Sequence, residues 1–230
     1  LSLSLSLSFL SPIFPLKMPP PSLRAACKKI VCVGRNYADH AKELGNAMPT
    51  KPLLFVKTSN ALIEKGEKIR APPGCVNLHQ EVELAVVIGK RASGIAKADA
   101  LQYVAGYTVA LDMTARDFQD EAKKAAAPWF LAKSFDTSCP IGDFIPKEKV
   151  PDPQQIDLFC RVNGVEKQRA RTDLMMFDVS TLLEYTSKFV TLEEGDLVLT
   201  GTPAGVSRVV SGDRIEAGIE GFVKAEFEVA

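Results

Sequence analysis

The sequence predicts a mixed α+β fold that is mainly β, and three observations lead to this fold class. The 230 residues are 46% hydrophobic, which is enough for one domain with a sizeable core. After residue 29, short apolar runs alternate with turn signals, and the predicted strands outnumber the predicted helices. Apart from two acids, residues 81–88 are apolar on both faces of a strand, which is typical of a strand buried between two layers.

The first 29 residues differ in composition from the rest. Leu and Ser alternate over residues 1–8, prolines follow as far as Pro21, and no acidic residue precedes Asp39. This Ser-rich, basic and acid-poor composition resembles an organelle transit peptide. Alternatively, a repeated CT dinucleotide read as codons gives alternating Leu and Ser, and residues 1–17 are then translated leader sequence before a start at Met18. In both cases we expect residues 1–29 to be disordered and residues 30–230 to form the folded domain.

The elements of the domain follow from periodicity and from turn residues. A helix is predicted over residues 36–44 because Gly45 stands in the usual C-terminal position, and a second main helix is predicted over residues 180–189. Residues 112–124 read as a strand-to-helix turn in which Thr114 and Asp117 have the spacing of a capping box. The segment 146–155 contains three prolines and is predicted to be a loop inside the domain. The predicted strands are residues 30–33, 53–57, 81–88, 104–111, 157–162, 197–200 and 223–229.

Composition narrows the class of ligand. The 28 basic and 28 acidic residues balance, so the chain lacks the electrostatic signature of nucleic-acid or anionic-membrane binding. No run reaches the roughly 18 apolar residues of a membrane-spanning helix. The five cysteines are odd in number and widely spaced, which indicates free thiols in a reducing compartment. A small-molecule ligand is therefore favoured over nucleic acid or membrane.

Two acids stand inside the apolar strand over residues 81–88. Glu81 and Glu83 point to the same face, and a buried carboxylate needs a proton, a cationic side chain or a metal ion. Asp112 follows the predicted strand 104–111 and is the natural third ligand. Three carboxylates without soft ligands suit Mg²⁺ or Mn²⁺. The alternative is that these are three ordinary acids at strand ends.

Other polar residues could carry chemistry near such a site. His40 and Glu43 are three residues apart on a predicted helix, so the carboxylate can raise the basicity of the imidazole; an ordinary surface pair is the alternative. Arg116 and Gln119 share a helix face just after Asp112 and could hold a substrate carboxylate or carbonyl. Lys133 is flanked by apolar residues, so its ammonium either reaches solvent or meets a buried anion.

Five segments occur in one collinear order that resembles the fumarylacetoacetate hydrolase superfamily, and in particular its small acylpyruvase and oxaloacetate decarboxylase members. The resemblance extends from residue 30 to the C-terminus. It is carried by residues 33–40 (VGRNYADH), 79–84 (HQEVEL), 111–119 (LDMTARDFQ), 131–135 (LAKSF) and 194–206 (EGDLVLTGTPAGV).

The resemblance implies a fold with a β-roll core, a homodimer and a mitochondrial location; a start at Met18 without a transit peptide would instead give a cytosolic protein. It implies Mg²⁺-dependent hydrolysis of acylpyruvates, or decarboxylation or tautomerisation of oxaloacetate, through a pyruvate-type enolate. A catalytically silent module that binds a 2-oxo acid such as oxalate is the alternative. We expect the metal ligands to be Glu81, Glu83 and Asp112, the catalytic residues to be His40, Glu43 and Lys133, and the substrate-binding residues to be Arg116, Gln119 and Thr202.

The chain departs from the superfamily pattern at two places. The glycine loop comprises residues 200–206 (TGTPAGV). Ser207 and Arg208 follow it, where such proteins usually carry Gly and Pro, so the shape of this loop is uncertain. Gln80 stands where relatives commonly have a second His, which could alter the surroundings of the metal ligands.

Overall fold

A computed structural model describes residues 22–43, 45 and 47–230. Residues 1–29 were expected to be disordered. Residues 1–21 lie outside the described range, and the expectation is wrong for residues 22–29. Leu23–Ala26 form a short helix, and Cys27 is buried in an apolar cluster. The buried carboxylate of Asp196 accepts hydrogen bonds from the backbone N–H groups of Lys28 and Lys29. These contacts fix the segment against the domain.

The described residues contain many short strands and few helices, as the sequence predicts. The five α-helices are α1 (Leu23–Ala26), α2 (Ala38–Glu43), α3 (Arg116–Lys124), α4 (Phe130–Lys133) and α5 (Val179–Ser187). Short 3₁₀ helices are formed by Ser59–Ala61, Lys97–Tyr103, Lys147–Lys149 and Thr172–Leu174. The strands are β1 (Lys29–Gly34), β2 (Leu53–Thr58), β3 (Leu62–Ile63), β4 (Leu78–Gln80), β5 (Val82–Ile88), β6 (Val104–Leu111), β7 (Thr114–Ala115), β8 (Cys139–Pro140), β9 (Ile145–Pro146), β10 (Asp157–Val162), β11 (Val165–Arg171), β12 (Leu197–Leu199), β13 (Ser207–Val209), β14 (Arg214–Ile219) and β15 (Val223–Glu228).

A six-stranded sheet in the order β2-β1-β12-β5-β6-β9 forms the centre of the fold. Its strands pair antiparallel except for β1 and β12, which are parallel. Every residue of β5 is buried, which confirms that this strand is covered on both faces. Val82 and Leu84 point into the larger apolar cluster, whereas Ala85 and Val87 point into the smaller one.

Three further sheets complete the fold. One has the antiparallel order β11-β10-β14-β15, one has the order β13-β4-β7, and β3 pairs with β8. The sequence did not predict β11 or β14. The side chains of Val165–Arg171 are mostly charged and exposed, so the apolar alternation that identifies a strand is missing there.

Two local predictions near the site are wrong. The strand predicted from residue 81 begins at Val82, because Glu81 lies between β4, which belongs to the β13-β4-β7 sheet and ends at Gln80, and β5. The predicted capping box is absent from α3, whose N-terminal residue Ala115 makes no side-chain cap. The Thr114 hydroxyl instead donates to the Asp112 carbonyl, and the Asp117 carboxylate accepts from the N–H of Val76 at 2.7 Å.

All five cysteines are free, as predicted, and four of them are buried. Burial raises the pKa of Cys27 to about 11 and that of Cys160 to about 12. Such thiols stay protonated at neutral pH and behave as small apolar side chains. None of the helices in the described part of the chain is long and apolar enough to cross a membrane.

Candidate active site and metal centre

Three carboxylates meet where the six-stranded sheet adjoins the β13-β4-β7 sheet. Glu81 lies at the bend between β4 and β5, Glu83 lies on β5, and Asp112 directly follows β6. Because β5 and β6 pair with Val82 opposite Leu111, the two glutamates and the aspartate lie at the same end of this strand pair. The N–H of Asp112 also donates to the Glu81 carbonyl at 2.8 Å. One oxygen from each carboxylate lies within 4.8 Å of the other two.

Buried cations contact two of the three carboxylates. Lys133 Nζ lies 2.8 Å from Glu81 Oε2 and 2.5 Å from Asp112 Oδ2, and Arg116 forms a further ion pair with Glu81. Burial alone would raise the pKa of Glu81, but the charges of Lys133 and Arg116 hold it well below its usual range. Burial likewise opposes the charge on Lys133, but Asp112 and Glu81 raise its pKa. Glu81 and Lys133 are therefore both charged.

Lys57 is a member of this cluster that the sequence analysis missed. Its side chain is fully buried on β2, and Nζ lies 2.8 Å from Asp112 Oδ1 and 3.1 Å from the Met113 carbonyl oxygen. Asp112 Oδ1 receives no well-aligned hydrogen bond, so this contact with Lys57 is an ion pair only. The signal was available, because Lys57 is a charge inside an apolar strand, as are Glu81 and Glu83.

Glu83 is the carboxylate that lacks a counter-charge. It is 1% exposed, and no Lys, Arg or His within the described ranges forms an ion pair with it. Its Oε2 accepts a hydrogen bond from the N–H of Gly201 at 2.6 Å. Burial and the negative charges of Asp112 and Glu81 raise the pKa of Glu83 well above its usual range. A cation bound at this point would remove the repulsion among the three acids.

The residues present fit a hard divalent metal ion. The donors are oxygen atoms only, all three side chains are buried, and Glu83 has no cationic partner among the described residues. Mg²⁺ and Mn²⁺ prefer such carboxylate donors and take their remaining ligands from water or substrate. The assignment of Glu81, Glu83 and Asp112 as metal ligands remains a prediction that this geometry supports.

His40 and Glu43 form a contact on α2. His40 Nδ1 lies 3.1 Å from Glu43 Oε2, and the imidazole is 5% exposed and lines the same pocket as the carboxylates. Glu43 Oε1 accepts a hydrogen bond from the N–H of Gly205 at 3.0 Å. The glycine loop therefore positions Glu43, and Glu43 fixes the orientation of the His40 ring. The surface-pair alternative does not fit a buried histidine.

The predicted substrate-contacting residues line the pocket, but their polar groups are partly engaged. Arg116 Nη1 donates to Gln119 Oε1 at 2.5 Å while Nη2 contacts Glu81, so Gln119 is held by the arginine. The Thr202 hydroxyl donates to the Val82 carbonyl at 2.8 Å and accepts from Gln168 Nε2. This hydroxyl therefore supports the fold around β5. Lys133 was predicted either to reach solvent or to meet a buried anion. It is 3% exposed and pairs with Glu81 and Asp112, so the second alternative is correct.

The cavity between these groups has a volume of about 30 Å³. The sequence analysis did not single out two cationic residues on its wall, Arg35 from the turn after β1 and Lys123 from α3. Lys123 carries no sequence signal, because lysines are common on exposed helix faces. His79 lies on β4, and its Nε2 lies 3.1 Å from Asn77 Oδ1.

Comparison with known proteins agrees with this architecture. A family model described as the fumarylacetoacetate (FAA) hydrolase C-terminal domain matches residues 29–230. The mitochondrial oxaloacetate tautomerase fahd-1 of Caenorhabditis elegans is 66% identical over 206 residues, covering 90% of this chain and 96% of the relative. The mitochondrial oxaloacetate decarboxylase of Dictyostelium discoideum is 50% identical over 196 residues, covering 85% of this chain and 90% of that protein.

A solved structure shows the same fold. Fumarylpyruvate hydrolase from Pseudomonas aeruginosa, in complex with Mn²⁺ and pyruvate, superimposes with a TM-score of 0.85 at 36% identity, covering 89% of this chain and 90% of the other. The resemblance first noted in five sequence segments is thereby confirmed over nearly the whole described chain. The chain belongs to the fumarylacetoacetate hydrolase family.

Proposed function

We propose that this protein is a metal-dependent enzyme that acts on small 2-oxo acids. It interconverts the keto and enol forms of oxaloacetate or decarboxylates oxaloacetate, and it hydrolyses acylpyruvates. The observation that carries the proposal is one pocket lined by three buried carboxylates, by the imidazole of a His–Glu pair and by four cationic side chains. Relatives named for oxaloacetate tautomerase and decarboxylase activity, and a similar structure named for fumarylpyruvate hydrolysis, support the same substrate class.

Glu81, Glu83 and Asp112 would hold the ion, which we propose to be Mg²⁺ or Mn²⁺. When bound, a divalent ion of this kind withdraws electron density from the keto acid and favours its enolate form. The protein's cations add to this effect, because Arg116 and Lys133 lie beside the same carboxylates and favour negative charge on a bound acid. Lys133 and Gln119 would orient the substrate.

We propose that His40 moves the proton. In tautomerisation, Nε2 of His40 takes a proton from the carbon beside the keto group and returns it to oxygen or carbon. In acylpyruvate hydrolysis, it takes a proton from the water that attacks the distal carbonyl, and the carbon–carbon bond breaks to give a carboxylic acid and pyruvate enolate. The imidazolium then returns its proton to the enolate carbon, which gives pyruvate. Glu43 holds Nδ1 and stabilises the imidazolium between these steps. Decarboxylation of oxaloacetate yields the same pyruvate enolate and needs the proton only at the end.

We further propose a mitochondrial location and a homodimer. Relatives named as mitochondrial cover most of this chain, and residues 1–21 include the Ser-rich composition of a transit peptide.

Metal removal combined with one substitution tests the proposal. Dialysis against EDTA should abolish turnover of oxaloacetate and acetylpyruvate, and Mg²⁺ or Mn²⁺ should restore it. His40→Ala should lower turnover of the metal-loaded enzyme by about a hundredfold or more, as for loss of a general base. Full activity in metal-free protein would contradict the proposal. Metal-dependent binding of oxalate without any turnover would indicate a catalytically silent binding module.

A further inference from the structure

The pocket contains more cationic side chains than the carboxylates of Glu81 and Asp112 engage in ion pairs. Four cationic side chains line it, and two of them, Arg116 and Lys133, form ion pairs with Glu81 and Asp112. The other two, Arg35 and Lys123, contact none of these acids in the part of the chain that the structure describes. Their charge is therefore available to a ligand.

Arg35 is held in a conformation that the backbone alone disfavours. Its φ angle is +58°, in the left-handed region that residues with a Cβ rarely adopt. Within residues 22–43, 45 and 47–230, its guanidinium makes no hydrogen bond or ion pair, although the residue lines the pocket. An unfavourable backbone that presents an uncompensated charge to a pocket is typical of a binding residue.

The neighbouring Asn36 keeps this conformation in place. Asn36 is fully buried, and its side-chain amide donates to the carbonyl oxygens of Thr200 at 2.8 Å and Phe177 at 3.0 Å. Its Oδ1 accepts from the N–H of Phe177 at 2.9 Å. These bonds tie the turn between β1 and α2 to two distant parts of the chain, so Arg35 is fixed relative to the carboxylates before any substrate binds.

Lys123 faces the pocket from α3. Its ion pair with the exposed Asp120 is long, at 3.4 Å, and its ammonium lies 5.9 Å from the centre of the Trp129 ring. Burial lowers the pKa of Lys123; Asp120 opposes this shift, and the charges of Arg116 and Arg35 add to it. Three cations that repel one another across a small pocket form a site in which a bound anion would relieve the repulsion.

An apolar wall lies on the other side of Trp129. Leu53–Val56 on β2 and residues 127–130 line a groove of about 390 Å³, which shares Phe55 and Trp129 with the active-site pocket. The distal part of a bound 2-oxo acid, beyond the keto acid group, can therefore contact either the apolar groove or the two cations. An uncharged acyl chain suits the apolar groove, whereas a carboxylate suits Arg35 and Lys123.

We propose that Arg35 and Lys123 form a subsite for the distal carboxylate of a four-carbon 2-oxo dicarboxylate, so that oxaloacetate is preferred over uncharged acylpyruvates. This inference rests on the proposed function and adds to it the residues that select the substrate. The pocket is lined both by the three carboxylates and by these two cations, so a dicarboxylate whose reacting end lies at the carboxylates would present its distal carboxylate to Arg35 and Lys123.

The test compares Arg35→Gln and Lys123→Gln with Lys124→Gln. Lys124 is an exposed lysine on the same helix that does not line the pocket, so its variant controls for loss of one charge. Steady-state kinetics with Mg²⁺ would be measured on oxaloacetate and on acetylpyruvate. Calorimetric titrations would use malate, which carries a distal carboxylate, and oxalate, which mimics only the reacting end. Thermal melting would report whether each variant folds.

Each subsite variant should raise KM for oxaloacetate and weaken malate binding by about tenfold or more, as for loss of a charge-assisted hydrogen bond. KM for acetylpyruvate and the affinity for oxalate should stay within about twofold of wild type. Arg35→Lys keeps the charge but loses the planar guanidinium, so it should recover only part of the oxaloacetate affinity. The subsite would be overturned if the variants lost as much affinity for acetylpyruvate as for oxaloacetate and as much for oxalate as for malate. It would also be overturned if their affinity for malate and oxaloacetate did not fall. If wild type turned over neither substrate, the proposed function would fail, and the malate and oxalate titrations would still decide the subsite.

Discussion

At the scale of single residues, the site is a set of buried charges whose partners come from distant parts of the chain. The sequence predicted Glu81, Glu83 and Asp112 as candidate ligands, because acids in or beside apolar strands need compensation. The same rule applies to Lys57, which is fully buried beside Asp112. Which cation would pair with which acid was not predictable, because that depends on how β2 and α4 are placed against Asp112, which follows β6.

Replacing Lys57 tests this compensation. Lys57→Met keeps the length of the side chain but leaves Asp112 Oδ1 and two backbone carbonyls without their cation. We expect the free energy of unfolding of the metal-free protein to fall by about 3–5 kcal/mol, as for breaking a buried ion pair by removing one partner. Chemical denaturation in EDTA and in Mg²⁺ measures the change.

The loss should be smaller in Mg²⁺, because a bound divalent ion supplies positive charge to the same carboxylate. Lys68→Met is a suitable control, since the pair of Lys68 with Glu228 is exposed and contributes little. An equal, small effect of both substitutions would show that the ion pair of Lys57 does not stabilise the fold.

At the scale of elements, the glycine loop between β12 and β13 links the sheet to α2, which carries His40 and Glu43. The departures at Gln80 and Ser207 contact each other: Gln80 Oε1 accepts from the N–H of Ser207 at 2.9 Å, and Gln80 Nε2 donates to the Gly205 carbonyl at 3.3 Å. Gly205 in turn donates to Glu43. The sequence raised doubt about this loop, but it could not show that the two unusual residues support each other.

Gly205 is the point at which this loop tolerates least change. Its φ is +100°, and a Cβ there would lie 1.9 Å from the Lys167 carbonyl oxygen. Gly205→Ala should therefore destabilise the protein by at least about 1–3 kcal/mol through backbone strain, and it should lower turnover by displacing the N–H that holds Glu43. Denaturation and steady-state kinetics measure the two effects.

Gly212→Ala is the matched control for this substitution. Gly212 also has a positive φ, of +90°, but a Cβ there would meet nothing within 4 Å. Its substitution should cost stability through backbone strain alone and leave turnover unchanged. If the two alanine variants lost the same stability and kept the same activity, the contact of Gly205 with Glu43 would have no role in catalysis.

At the scale of the whole molecule, the sequence predicted the fold class and seven of the fifteen strands in the described residues, but not the order of strands in the sheets. The strands over residues 104–111 and 157–162 have the predicted bounds, because each is a clear apolar run. The insertion of β12 between β1 and β5 could not be inferred, since it pairs segments more than a hundred residues apart. Arg35 follows β1 and Lys123 lies on α3, so the folded arrangement of these elements is what brings both cations to one pocket.

The proposed homodimer is a prediction at this scale. Phe130 and Leu131 on α4 are 55% and 70% exposed, and Phe130 lines the apolar groove, so the two side chains extend an apolar surface that a second chain would cover. Sedimentation velocity should give the mass of two chains at micromolar concentration. A single species with the mass of one chain would contradict the dimer and leave the account of the active site intact.

The central claim is that the three buried carboxylates bind a divalent metal ion. Anomalous diffraction from crystals grown with Mn²⁺ tests it most directly. The account predicts one strong anomalous peak bounded by Glu81, Glu83 and Asp112, which disappears when Glu83 is replaced by Gln. Crystals that contain Mn²⁺ but show no peak among these three side chains would contradict it.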